Sequence, residues 1–169
     1  MPSYSHSRLS CFEQCRLKYK YNYIDNIKTE VENTVEAFMG DLIHQALEKL
    51  YKDRLVEKVT ELKELLEFFS DLWEKHWTDN ILINAKGLSK KNYHDTGIRC
   101  LTDYYNHYKP FNQGRILGLE TKEFIDIAPG YKMHVRIDRL MRNGTIYEVH
   151  DYKANKSLPT QAHLDEDRQ

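Results

Sequence analysis

The segment "VRIDRLMRNGTIYEVHDYK" (residues 135–153) predicts two antiparallel strands joined by a tight turn. Asn-Gly at 143–144 is the strongest short hairpin signal in the chain, and apolar and polar residues alternate on both sides of it. With Asn143 and Gly144 as the two loop residues, Arg139 lies opposite Glu148, which is a favourable cross-strand ion pair.

The same register gathers charged side chains on one face of the hairpin. It sets Asp138 opposite Val149, and alternation along the strand puts Asp151 and Lys153 on the face of Asp138. Two clustered carboxylates repel unless a cation lies between them, and hard divalent ions prefer oxygen ligands. A lysine beside such an ion can orient water and stabilise charge on a phosphate. The alternative is that Asp151 and Lys153 form a solvated ion pair at a strand end.

Upstream of the hairpin the pattern predicts one more strand and, before it, amphipathic helices. Apolar residues recur at helical spacing in three segments, and the period changes to two at Arg115. The helical segments are residues 35–55, 56–77 and 89–110, and the strand is "RILGLETKEFIDI" at 115–127. We therefore predict an α/β fold with a mainly antiparallel, twisted sheet flanked by helices.

Composition limits the other possibilities. The chain has 169 residues, 30% charged and 40% hydrophobic, which suits a single domain with a core. It shows neither a membrane-spanning apolar run nor a signal peptide, so the expected location is the cytoplasm. The net charge of −1 neither supports nor excludes a DNA partner. Three cysteines, an odd number, argue against a disulfide framework.

Taken together, these residues resemble the PD-(D/E)xK nuclease superfamily, most closely its RecB/AddB-like and Cas4-like exonuclease branch. The resemblance rests first on Asp138 followed by "DYK" at 151–153. Four further segments are similar to the Ser-x-Ser-x-Leu opening, the Gly-x-x-x-His helix, the Ile-Asp strand and the Gln-x-x-x-Tyr helix of that branch. They are "SHSRLSCFEQCRLKYKYNYI" (5–24), "GDLIHQALE" (40–48), "VRIDRL" (135–140) and "DRQ" (167–169).

The resemblance implies a set of metal ligands. His44, Asp138 and Asp151 would bind Mg²⁺ or Mn²⁺, with the backbone carbonyl of Tyr152 as a further ligand. On its own, His44 at the edge of an apolar helix face is more often a structural histidine. The acid, acid and lysine pattern downstream favours the ligand interpretation.

The remaining catalytic roles follow from the same resemblance. Lys153 would position the attacking water or stabilise the phosphate, and Gln169 would touch DNA or the water network. Glu120 resembles an acidic residue that supports the first metal or binds a second one. An ion pair of Glu120 with Lys122 or Arg136 explains that residue equally well.

The resemblance implies one nuclease-like domain over residues 1–169, with a helical insertion at 52–114 and catalytic strands at 115–153. The superfamily fold is restriction-endonuclease-like and continues past the position of Gln169, so the expectation is a truncated C-terminal part. Arg136 stands where the family often has glycine, and Arg16 where it often has proline. Neither departure removes a catalytic group.

The predicted function is metal-dependent hydrolysis of DNA phosphodiester bonds, in an exonuclease role in recombination or repair. DNA would be the substrate, a helicase or other repair subunit a candidate partner, and no membrane is involved. One alternative is a Cas4-like iron–sulfur nuclease of CRISPR adaptation. Cys15 resembles the first cluster ligand, and the other ligands would lie beyond Gln169. The other alternative is a non-catalytic nucleic-acid-binding or partner-binding module.

Overall fold

The computed structural model describes residues 3–28, 33–154, 160, 161 and 165. Its α-helices are α1 (His6–Gln14), α2 (Arg16–Tyr19), α3 (Val35–Leu55), α4 (Leu62–His76) and α5 (Lys90–Tyr108), and α2 continues into a π-helical turn at Lys20–Ile24. Its strands are β1 (Ser3–Ser5), β2 (Asn33–Thr34), β3 (Ile81–Leu82), β4 (Arg115–Ala128), β5 (Tyr131–Asn143) and β6 (Ile146–His150). The predicted α/β class is confirmed.

Helix α3 begins and ends where its sequence provides terminal signals. The Thr34 hydroxyl caps the N-terminus by accepting a hydrogen bond from the Ala37 N–H at 3.4 Å. Glu36 in the first turn and Lys52 and Arg54 in the last turn complement the helix dipole. Nine residues of α3 are buried, so packing of this face stabilises the helix more than intrinsic propensity does.

The hydrophobic core lies among α3, α4 and α5. Trp73 and Phe69 of α4 are fully buried, and the ring of Trp73 packs edge-on against Phe38 of α3 with centroids 5.0 Å apart. Helix α5 starts with a capping box between Ser89 and Asn92 and contributes Leu101 to the same core. These contacts hold α3 in place, and α3 is the helix that carries His44.

The predicted start of the second helix was wrong. The pattern indicated a helix from Val56, but α4 begins at Leu62, and Val59 is 65% exposed. Residues 56–61 instead reverse the chain after α3, with Glu57 at a positive φ of 61°. Thr60 is buried in this turn, and its carbonyl accepts a hydrogen bond from the Tyr105 hydroxyl at 3.0 Å.

Strand β5 is the central strand of the larger sheet. It pairs with β4. It also pairs with β1 in the parallel orientation along residues 132–134 and with β6 in the antiparallel orientation along residues 139–143. Strands β2 and β3 form a separate two-stranded parallel ladder. The expectation of a mainly antiparallel sheet flanked by helices agrees with this arrangement.

The hairpin forms as predicted, but its two loop residues lie one position further along the chain than predicted. Asn143 pairs with Ile146, so Gly144 and Thr145 are the loop residues. Gly144 has a φ of +61°, the conformation that the first position of a primed turn requires. Asn143 therefore ends β5 instead of entering the loop.

This shift changes the partners of the charged residues along the hairpin. The predicted pair of Arg139 with Glu148 was wrong, because Glu148 lies opposite Met141 and Arg139 lies opposite His150. The shift moves each partner by two residues, so every side chain keeps its face. The face that carries Asp138 is therefore unchanged.

The chain divides into two compact units. Unit 1 comprises Met1–Thr29, Thr121–Ile137 and Asn155–Gln169, and unit 2 comprises Glu30–Glu120 and Asp138–Ala154. In unit 1, the Arg8 guanidinium lies 5.1–5.7 Å from the ring centroids of three tyrosines, and its Nε donates to the Tyr19 hydroxyl at 3.0 Å. Within the described residues, no helix combines the length and apolar character that crossing a membrane requires.

Candidate metal centre

Three elements of unit 2 bring His44, Glu120 and Asp138 together. His44 comes from the middle of α3, Glu120 from β4 and Asp138 from the central strand β5. One nitrogen or oxygen from each side chain lies within 4.8 Å of the others. The group is shielded from solvent: the exposed fractions of the side chains are 24% for His44, 10% for Glu120 and 7% for Asp138.

The backbone of β4 is irregular at Glu120, the residue that this strand contributes to the cluster. Its φ is +48°, in the left-handed region that residues with a side chain adopt at a cost. The Glu120 carboxylate lies 3.6 Å from His44 Nδ1.

Asp138 makes two contacts with its carboxylate oxygens. Oδ1 lies 3.4 Å from His44 Nδ1, and Oδ2 accepts a hydrogen bond from the Tyr152 backbone N–H at 2.7 Å. Burial by itself would raise the pKa of Asp138, but the bonds from His44 and the Tyr152 N–H outweigh burial and lower that pKa. Asp138 is therefore a carboxylate at neutral pH.

The His44 ring links the carboxylates to the chain after β6. Its Nδ1 faces Asp138 and Glu120, and its Nε2 lies 2.9 Å from the Tyr152 carbonyl oxygen. The hydrogen bond with Asp138 raises the pKa of His44, against the opposing effect of burial. A protonated ring donates both N–H groups here. The predicted role of the Tyr152 carbonyl as a metal ligand stays a prediction, and in the structure this oxygen accepts from His44.

Asp151 and Lys153 lie just past the end of β6. The predicted strand reached Lys153, but β6 ends at His150, and the two residues are joined by an ion pair between Lys153 Nζ and Asp151 Oδ2 at 2.7 Å. Both side chains are about half exposed, 50% for Lys153 and 44% for Asp151. Asp151 is not one of the three clustered residues, so its predicted role as a ligand also stays a prediction. Gln169 lies outside the described residues.

Sequence reasoning missed the residues that support this site from the opposite face of the hairpin. Arg139 Nη2 donates to His150 Nδ1 at 2.8 Å, and His150 Nε2 lies 3.3 Å from a Glu148 oxygen. Burial and then the Arg139 charge lower the pKa of His150, so this histidine is neutral. The correct turn register puts Arg139 opposite His150, but the register predicted with Asn143-Gly144 as the loop put Arg139 opposite Glu148.

The donor set of the cluster fits a divalent cation. Two carboxylates and one imidazole supply hard oxygen ligands and one nitrogen ligand, a set that Mg²⁺ and Mn²⁺ accept. The two carboxylates concentrate negative charge in a partly buried place, and a cation offsets that charge. His44 must give up the proton on Nδ1 to coordinate, so ion binding at this nitrogen releases a proton.

The chain was compared with known protein families and with curated proteins. The family model of the PD-(D/E)XK nuclease superfamily matches residues 3–169, which is almost the whole chain. A comparison with curated proteins found no match.

Proposed function

Because the chain belongs to the PD-(D/E)XK nuclease superfamily, we propose that it is a Mg²⁺- or Mn²⁺-dependent deoxyribonuclease with a restriction-endonuclease-like core. The observation that carries the proposal is the convergence of His44, Glu120 and Asp138 from three elements onto one small volume. A structural ion pair needs only two such groups. Two acids with one histidine, adjacent to an Asp-x-Lys segment, suit a metal ion that acts on phosphate.

In this proposal His44, Glu120 and Asp138 hold the ion. When bound, the ion polarises the scissile phosphate and lowers the pKa of an attacking water. The Tyr152 carbonyl keeps the His44 ring oriented, because it accepts from Nε2 while Nδ1 faces the carboxylates.

Lys153 is the residue that we propose contacts the reacting groups. Its side chain is half exposed and reaches Asp151, so it is accessible to a phosphate. An ammonium group next to the scissile phosphate stabilises the charge that develops in the transition state. Asp151 holds this lysine in place and is the acid proposed to join the metal ligands when substrate binds. Gln169 is proposed to contact DNA.

The finer assignment is a RecB-like exonuclease acting in recombination or repair, within a single nuclease domain. The Gly-x-x-x-His helix around His44 and the Asp-x-Lys segment at 151–153 support this branch. The Cas4-like alternative needs Cys15 as a cluster ligand. In the structure Cys15 has a local role, since its Sγ accepts a hydrogen bond from the Lys18 N–H at 3.4 Å and caps α2.

The test is degradation of linear double- and single-stranded DNA, and of circular DNA, with Mn²⁺, Mg²⁺ or EDTA. Asp138→Asn and Lys153→Ala are expected to lower the rate by about 100-fold or more. Asp126→Asn is the matched control, because Asp126 is an exposed acid on β4 outside the cluster. An exonuclease degrades the linear DNA and leaves the circles intact. Equal rates for wild type and Asp138→Asn would overturn the proposal.

A further inference from the structure

Arg139 is a buried cation enclosed by tyrosines. Its side chain is 1% exposed, and its guanidinium carbon lies 4.0 Å from the ring centroid of Tyr51. The rings of Tyr108 and Tyr152 lie 5.7 Å and 5.8 Å away. Within the described residues, Arg139 Nε and Nη1 have no hydrogen-bond partner. Burying an arginine in this way costs free energy, so a compensating reason for it is required.

The guanidinium makes a directional polar contact with His150. Arg139 Nη2 donates to His150 Nδ1 at 2.8 Å, and these two residues are the last paired positions of β5 and β6 toward the metal centre. His150 in turn lies 3.3 Å from the Glu148 carboxylate through Nε2. The side chains of Arg139 and Glu148 therefore hold His150, the last residue of β6, directly before Asp151.

The tyrosine at the edge of this enclosure also belongs to the metal centre. The Tyr152 ring lies against Arg139, while the Tyr152 N–H donates to Asp138 and its carbonyl accepts from His44. Arg139 follows Asp138 directly, so their side chains leave opposite faces of β5. Strand β5 thus carries the candidate ligand Asp138 on one face. On its other face it carries Arg139, which lies against the ring of Tyr152, the hydrogen-bond partner of Asp138.

We propose that Arg139 is a positioning residue of the metal centre: packed against Tyr51 and bonded to His150, it fixes Tyr152, whose peptide orients Asp138 and His44. This inference rests on the proposed metal-dependent function. The planar guanidinium suits the task because it stacks on one ring and donates in its own plane at the same time. An apolar residue of similar size would fill the space without that direction.

The experiment measures Mn²⁺ affinity by isothermal titration calorimetry, together with urea unfolding, for wild type, Arg139→Met and Arg139→Lys. Arg142→Met is the matched control, because Arg142 is an exposed arginine on the same strand. We expect Arg139→Met to fold and to bind Mn²⁺ about tenfold more weakly or worse, in the range found for residues that orient metal ligands. Arg142→Met should bind within about twofold of wild type.

The outcomes separate the two proposals. If wild type binds Mn²⁺ and Arg139→Met binds it equally well, Arg139 has no positioning role. A shift in the unfolding midpoint alone, with unchanged affinity of the folded protein, also overturns the inference. If Arg139→Met does not fold, the Mn²⁺ affinity of Arg139→Lys is compared with that of wild type instead, because lysine keeps the charge but lacks the planar set of guanidinium donors. Equal affinities would then overturn the inference. If wild type itself binds no Mn²⁺, the metal centre is wrong, and the inference fails with it.

Discussion

At the scale of single residues, two helix glycines lie in opposite surroundings. Gly40 lies on α3 one turn before His44, and no atom of the described residues lies within 4 Å of the position a Cβ would take. Gly97 on α5 packs directly against the Phe69 ring, which a Cβ would overlap. Glycine in a helix interior is unfavourable relative to alanine, so the two positions predict opposite effects of one substitution.

Gly40→Ala should raise the free energy of unfolding by about 0.5–1 kcal/mol. Gly97→Ala should lower it by about 1–3 kcal/mol, because the Phe69 ring must move out of a packed core. Urea unfolding followed by circular dichroism measures both. If Gly40 also leaves room for substrate, Gly40→Ala raises KM for DNA while the protein becomes more stable. A destabilised Gly40→Ala variant would contradict the open space described at this residue.

Asp138 controls the protonation of His44. The hydrogen bond between them is the largest cause of the raised His44 pKa. In Asp138→Asn the charge is lost, and the pKa of His44 should fall relative to wild type. The amide oxygen can still accept from the Tyr152 N–H, so the fold should persist. Nuclear magnetic resonance titration of the His44 ring in metal-free protein measures the shift.

Asp126→Asn is the control for this titration, because Asp126 pairs with Lys132 on the β4–β5 hairpin and is absent from the cluster. Its His44 pKa should equal that of wild type. An unchanged pKa in Asp138→Asn would show that the 3.4 Å contact between His44 Nδ1 and Asp138 Oδ1 does not exist in solution.

The residues of the site differ in how far the sequence predicts them. Asp138 follows from strand periodicity and the hairpin, His44 follows from the family resemblance, and both lie in the cluster. Glu120 remained ambiguous because its position depends on a positive φ inside a strand, and no local residue signals that conformation. Arg139 was assigned to the wrong partner, since a shift in turn position changes every opposed pair.

At the scale of elements, a charged network joins the end of α3 to the start of α4. The Asp53 carboxylate accepts from Lys49 at 2.7 Å, from the Thr60 hydroxyl at 2.7 Å and from Lys58 at 3.1 Å. Burial opposes ionisation of Asp53, but these bonds outweigh burial and lower its pKa from 3.8 to about 2. The network fixes the turn at residues 56–61 that the helical pattern did not predict.

This network predicts a loss of stability in acid. A carboxyl whose pKa is lower in the folded protein stabilises it above the unfolded pKa, and the stabilisation disappears as pH falls toward the folded pKa. The Asp53 contribution is therefore present above about pH 4 and lost between pH 4 and about pH 2. After allowance for solvent screening, it is on the order of 1 kcal/mol.

Urea unfolding at several pH values between neutrality and acid measures this contribution. Asp53→Asn should be less stable than wild type at neutral pH, and the difference should shrink in acid. Glu67→Gln is the control, because Glu67 is exposed and pairs only with Lys63 on the same helix at 3.6 Å among the described contacts. A difference between wild type and Asp53→Asn that does not change with pH would refute the assignment.

The hairpin shows what sequence patterns predict at the element scale. Alternation predicts the existence of both strands, but it carried the second strand through Lys153, whereas β6 ends at His150. It cannot choose between Asn143-Gly144 and Gly144-Thr145 as the loop, because both put glycine at a position of positive φ. Beside this end of β5, Gly114 lies against the Arg142 carbonyl with no room for a Cβ, a contact between distant segments that no local pattern shows.

At the scale of the whole molecule, the candidate metal centre connects distant parts of the chain within unit 2. His44, Glu120 and Asp138 belong to a helix and two strands that no local pattern brings together. The family resemblance, not periodicity, placed His44 beside the hairpin. An ion held by these three residues would cross-link α3, β4 and β5, and would thus oppose unfolding of the elements that supply its ligands.

Mn²⁺ should therefore stabilise the protein in a concentration-dependent way. At a free concentration about 100 times the dissociation constant, the free energy of unfolding should rise by about 2.7 kcal/mol, since the unfolded chain lacks the assembled site. Thermal unfolding with increasing Mn²⁺ measures this as a rising midpoint. Glu120→Gln and Asp138→Asn should reduce the rise, and Asp126→Asn should preserve it. NaCl at equal ionic strength measures general screening, which affects wild type and Asp138→Asn alike. A midpoint that rises equally in wild type and Asp138→Asn would place the ion elsewhere on the protein.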